Sequence, residues 1–101
     1  MLQVSNVGGV TRVGFEPGSK LNLMQASGVK AEFAKIVKGT GGKMELDMSN
    51  LEYIDSSGVG ALLSLLRLCR EFKWDLTLEK LQPSVRDLFN LLQLHTLFKI
   101  K

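Results

Sequence analysis

The chain contains one cysteine, one histidine and two prolines among 101 residues. Cys69, being alone, cannot close an internal disulfide, which fits a reducing compartment. His95 sits between Leu94 and Thr96 with no cluster of metal-ligand residues around it. It therefore offers neither a metal site nor an evident base for a serine nucleophile. Charge of one sign is also missing as a block. Thirteen Lys and Arg against ten Asp and Glu leave a net charge of +3, with the lysines scattered, so direct nucleic-acid binding is not expected. No apolar run is long enough to cross a bilayer: the stretch Val59 to Cys69 is broken by Ser64 and Arg67. Met1-Leu2-Gln3 does not open a targeting segment, and the expected location is the cytoplasm, without membrane insertion. The run Gly39-Thr40-Gly41-Gly42 is too short for a phosphate-binding loop and lacks its lysine. No catalytic set, metal site or cofactor is expected, and the chain reads as a non-enzyme.

What is present is an apolar content of 45%, enough for one compact domain over residues 1–101. Leu2–Asn6 and Val10–Phe15 flank Gly8-Gly9, the signature of a tight hairpin, and Glu16-Pro17-Gly18-Ser19 is a turn cluster that ends it. Ala26, Val29, Phe33, Ile36 and Val37 recur at helical spacing and predict an amphipathic helix over Leu23–Lys38, stopped by the glycine run. Lys43–Met48 alternates as a strand, and Ser49–Asp55 reads as a link. A second helix is expected over Ser57–Phe72, a strand over Trp74–Leu78, a third helix over Leu81–Gln93 and a last strand over Leu97–Ile100. Met24, Met44 and Met48 read as apolar filler, and Trp74 as a strand opener against the core. The order β-β-α-β-α-β-α-β predicts an α/β domain with a small, mostly parallel sheet, an N-terminal hairpin and helices packed on it.

The most informative stretch is Tyr53-Ile54-Asp55-Ser56-Ser57-Gly58-Val59-Gly60, where a link feeds a helix. In one reading Asp55 or Ser56 caps the helix and the glycines allow close packing. In the other, the segment is an interaction surface. At about 100° per residue, Leu62, Leu65, Leu66, Cys69 and Phe72 share the inner face, while Ser57, Gly60, Ser64, Arg67 and Glu71 project outward. Ser57 is then exposed, and Gly60 beside it has no side chain to block a docking partner. A phosphate on Ser57 would meet the free N–H groups of a helix N-terminus, which tolerates it well.

The run from Leu46 through Asp55-Ser56-Ser57-Gly58 to Leu63 resembles the central signature of STAS domains, especially those of bacterial anti-sigma factor antagonists. Pro83 to Phe89 resembles the family's corresponding helix, and the likeness extends from about Leu21 to Ile100. The resemblance implies a STAS-like fold. It also implies a switch: the unphosphorylated domain binds an anti-sigma factor that is a serine kinase, phosphorylation of the second serine ends the association, and a phosphatase resets it. Carried over, the phosphoacceptor is Ser57, and Asp55, Ser56 and Gly58 form the contact surface, with Gly60 beside them. The helical wheel adds Leu63 and Arg67. Asn22 stands where the family often has an aspartate, removing a charge near the partner surface. Many relatives continue into a final helix beyond the position of Lys101; the resemblance then implies either that such a helix is dispensable here or that part of the sheet is more exposed than usual. The resemblance also admits an alternative, a non-phosphorylated STAS subunit of a lipid-transport ABC complex.

Overall fold

The computed structural model describes residues Met1–Lys101. The elements are β1 (Leu2–Val7), β2 (Val10–Phe15), β3 (Ser19–Leu21), α1 (Leu23–Ile36), β4 (Lys43–Asp47), β5 (Leu51–Ile54) and α2 (Ser56–Glu71). They continue through β6 (Asp75–Glu79), α3 (Pro83–Leu91), a single 3-10 turn (Leu94–Thr96) and β7 (Lys99–Ile100). The α/β class, the hairpin and the three helices stand as the sequence predicts. Two strands do not appear in the expected order. Ser19–Leu21 emerges from the turn cluster as β3, and Leu51–Ile54, expected to be a link, is β5. The order is therefore β-β-β-α-β-β-α-β-α-β.

The main sheet runs β1-β2-β4-β6-β7, antiparallel between β1 and β2 and parallel elsewhere; β3 and β5 pair parallel as a separate ribbon. Period-two alternation divides the main sheet into two unlike faces. Val13, Phe15, Met44, Leu46, Leu76 and Leu78 lie on the face beneath the helices and join a single 24-residue core. α2 contributes Val59, Ala61, Leu62, Leu65 and Cys69 to that core, and α1 contributes Ala26, Val29 and Phe33. Burying a leucine such as Leu62 or Leu65 is worth about 1.5–3 kcal/mol, so the leucine stripe anchors α2 firmly. Burial also pushes the Cys69 thiol up to about 11, leaving it an uncharged core residue at neutral pH. No helix is long and apolar enough to cross a membrane.

The third helix starts at Pro83, not Leu81, because proline is favoured in a first turn and Leu81 is buried ahead of it. Gln93, with φ 56°, ends the helical run early, and the last strand shrinks to Lys99–Ile100. Trp74 lies before β6, half-buried, donating its indole N–H to the Gly39 carbonyl oxygen at 3.1 Å. It braces the glycine connector; it does not open a strand.

The opposite face of the sheet carries charge. Arg12 on β2 donates to Glu45 on β4 and to the buried Glu79 on β6, bridging three strands. These partners hold the guanidinium proton more firmly than usual, Glu79 foremost. Asp47 lies at the edge of this network. Partial burial pushes its carboxyl pKa up, but hydrogen bonds from Ser49 and the nearby Lys80 and Arg12 outweigh that and hold it below the ordinary value. A carboxyl depressed on folding stabilises the protein above its unfolded-state pKa, near 4, and loses that contribution as pH falls through the lower folded value. Asp47→Asn should therefore lower the urea midpoint at pH 7, and its deficit against wild type should shrink as the pH is taken below about 4. A deficit that is unchanged or larger in acid would contradict this assignment.

Candidate functional site

β3 and β5 run in the same direction, and each passes straight into a helix. Leu21 pairs with Ile54, so the next residues, Asn22 and Asp55, cap α1 and α2 side by side. Both caps have extended backbone, as an N-cap requires. The Asn22 side chain accepts from the Met24 N–H at 3.0 Å. Asp55 acts on both helices. Its Oδ1 accepts from the Gly58 N–H at 3.0 Å, and its Oδ2 accepts from the Leu23 N–H of α1 at 3.3 Å. The Asp55 N–H donates in turn to the Leu21 carbonyl at 3.2 Å. One carboxylate thus satisfies an otherwise orphaned donor from each helix.

The two glycines of this segment have different duties. Gly58, expected on the contact surface, is buried: a Cβ there would overlap the Leu21 carbonyl oxygen and crowd Ile54. Its bare backbone lets the first turn of α2 close onto β3. Gly60 is half-exposed, and a Cβ there would meet open space, so the fold itself does not demand glycine at that position.

Ser56 is exposed and Ser57 is half-buried in the first turn of α2, less open than the helical wheel implies. The Ser57 hydroxyl makes no hydrogen bond to the protein. Because no buried side-chain polar atom lacks a partner, that oxygen is reached by solvent. Beside it, at the start of α1, Leu23 is 74% exposed and Met24 85% exposed, and Tyr53 on β5 is also open. Met24 is therefore no core filler. At about 100° per residue it falls opposite the Ala26–Val29–Phe33 stripe, a signal present in the sequence. Asn22, Asp55, Ser56, Ser57 and Gly60 thus come together with an apolar pair that sequence reasoning did not single out.

Leu63 and Arg67 lie further along α2. Arg67 is exposed and Leu63 half-buried, and with Leu66, Arg70 and Leu97 they line a shallow cleft of about 270 Å³. Ten residues of helix separate Arg67 from Ser57, roughly 15 Å at 1.5 Å per residue. Arg67 therefore belongs to the flank of the helix, away from the cluster at its N-terminus.

The two glycines predict opposite outcomes. Gly58→Ala should destabilise the domain by about 2 kcal/mol or more through overpacking against β3. Gly60→Ala should stabilise it by up to about 1 kcal/mol through helix propensity. Urea unfolding of the two variants beside wild type checks both signs; equal midpoints would refute the close approach at Gly58.

Comparison with known proteins places this geometry. Residues 18–99 match the family model of the Mlab STAS domain. BtrV of Bordetella bronchiseptica, a candidate anti-sigma factor antagonist, is 29% identical over 80 residues, covering 79% of this chain and 69% of BtrV. An anti-sigma-factor antagonist (STAS) domain protein from Planctomyces limnophilus has a similar structure, with a TM-score of 0.87 at 16% identity over 98% of this chain and 87% of that one. SpoIIAA in its unphosphorylated form gives 0.77 at 19% identity, over 100% of this chain and 88% of its own. The phosphorylated form of Bacillus SpoIIAA gives 0.70 at 18%, over 100% and 91%. At these identities the structural likeness establishes the fold. With a family model covering most of its length as well, the chain belongs to the STAS domain family.

Proposed function

We propose that this domain is an anti-sigma factor antagonist that works as a phosphoserine-controlled interaction switch. Unphosphorylated, it docks onto an anti-sigma factor with serine kinase activity through Asn22, Leu23, Met24, Ser56, Ser57 and Gly60. Phosphorylation of Ser57 ends the association, and a phosphatase restores it. The observation that carries this reading is a solvent-reached, unbonded Ser57 hydroxyl beside an exposed apolar pair. BtrV, a candidate anti-sigma factor antagonist, and SpoIIAA, known in phosphorylated and unphosphorylated forms, lend it support.

The physical chemistry of the site favours a switch that acts on the partner and leaves the host folded. A phosphoserine carries about −1.5 to −2 charges and three strong acceptor oxygens. At Ser57 it sits over the first turn of α2, where the helix end carries partial positive charge, so the domain gains no reason to unfold. The docking surface changes instead. Leu23 and Met24 must lose water when a partner covers them, and a dianion next to that patch and to the Asp55 carboxylate opposes the loss. Gly60, which needs no side chain for folding, leaves the approach open.

A second reading rests on the family model being that of Mlab. The same surface would then hold a constitutive partner, as a STAS subunit of a lipid-transport ABC complex working without phosphorylation.

With a kinase-type anti-sigma factor from the same genome, wild type and Ser57→Ala should bind equally, and Ser57→Asp should bind at least about tenfold more weakly, about 1.4 kcal/mol. With ATP, phosphate should appear on wild type and not on Ser57→Ala, as mass spectrometry would show. Equal affinities for wild type and Ser57→Asp, together with co-purification of an ATPase, would replace this reading with the second.

A further inference from the structure

The two edges of the main sheet are protected very differently. β7, at one edge, is two residues long, carries Lys99 and is followed by Lys101; these lysines reach Asp75 and Glu45. Short length and lysine are standard means of keeping a sheet edge from pairing with another chain. β1, at the other edge, has none of them. Leu2-Gln3-Val4-Ser5-Asn6-Val7 is six residues long, without charge or proline, and pairs with β2 without a bulge from Leu2–Phe15 to Val7–Val10. Gln3 to Val7 are all exposed, with Val4 at 50% and Val7 at 62%.

The direction of the backbone groups follows from the turn. Gly8 and Gly9 have φ of 58° and 80°, both positive, as a two-residue type I′ hairpin needs. In such a hairpin the flanking pair, Val7 and Val10, exchanges both hydrogen bonds, and bonded pairs recur at every second position, Ser5–Arg12 and Gln3–Gly14. The N–H and C=O groups of Leu2, Val4 and Asn6 therefore point away from β2. At Leu2 the N–H is taken by the Glu32 carboxylate at 3.4 Å. At Val4 and Asn6 no residue of the chain takes them.

We propose that β1 pairs with β1 of a second copy of this chain, antiparallel about a two-fold axis, merging the two sheets into one. A two-fold axis normal to the sheet sets residues of the same face opposite each other. The register that uses only free groups sets Val4 of one copy opposite Asn6 of the other, with the axis passing between the two Ser5 residues. Each Val4–Asn6 pair then exchanges both bonds, and the Leu2–Glu32 contact stays intact. An uncharged strand meets its own copy without repulsion, even in a chain of net charge +3. The inference is independent of the Ser57 reading, so Ser57→Asp must leave it unchanged.

The test is the mass of the full chain by light scattering from micromolar to sub-millimolar concentration. Wild type should approach twice the single-chain mass as concentration rises. Val4→Pro removes an outward N–H that no intrachain bond uses, and Val4→Lys adds the charge that protected edges carry. Each should weaken association about tenfold or more. Thermal melts at low concentration establish that both variants fold; if Val4→Pro does not, Val4→Lys decides. Amide exchange at Val4 and Asn6 should slow with concentration, and at Ser5, already bonded to β2, it should not. Wild type of single-chain mass throughout, or a dimer indifferent to Val4→Lys, would overturn the proposal.

Discussion

The carboxylate of Asp55, divided between the Gly58 and Leu23 amides, is the contact on which the architecture of the site depends. It links two helices at the point where both begin. The linkage works because β3 and β5 are parallel and, past a register shift after Ser19, finish paired at Leu21 and Ile54, so their exits stand together. It also needs Gly58, since any larger residue would hold α2 off the Leu21 carbonyl and pull the two caps apart. Strand pairing, cap and glycine act as one unit. An asparagine in place of Asp55 has one amide nitrogen where a carboxylate oxygen stood, so it could not accept from both helices in this geometry.

Around that unit the domain separates packing from polarity. One face of the main sheet is sealed by the leucine stripe of α2 and by Val29 and Phe33 of α1. The other face is held by Arg12, which bridges β2, β4 and β6 through Glu45 and Glu79. Glu79 is buried, and its charge is compensated by the Arg12 guanidinium bonded to it. Arg12 ties β2 to the neighbouring β4 and, across it, to β6, so this polar face is held together by one side chain that reaches over three strands.

Much of this is legible in the sequence, and the illegible part has a common cause. α1, α2, β4 and the hairpin announce themselves by periodicity, and Asp55-Ser56-Ser57-Gly58 by its capping chemistry. β3 and β5 do not, because three and four residues among Pro17, Gly18, Ser49 and Asn50 are too few to show a period. They matter most for the site, since their pairing sets the two caps together. The difference between Gly58 and Gly60 is hidden for the same reason: it depends on how close β3 comes, a tertiary fact. Leu23 and Met24 look like the start of a core stripe until the helical phase is followed to Phe33, which leaves Met24 on the far side.

Trp74 sits beyond the C-terminal end of α2, tied by its backbone N–H to the Cys69 carbonyl at 2.7 Å and by its indole to the Gly39 carbonyl. It is the sole tryptophan. Sixteen residues of rigid helix, roughly 24 Å, lie between this fluorophore and the serine pair. Its emission consequently follows the glycine connector and global unfolding. Events at the capped end of α2 are best watched through Tyr53, the sole tyrosine, which already stands in solvent there.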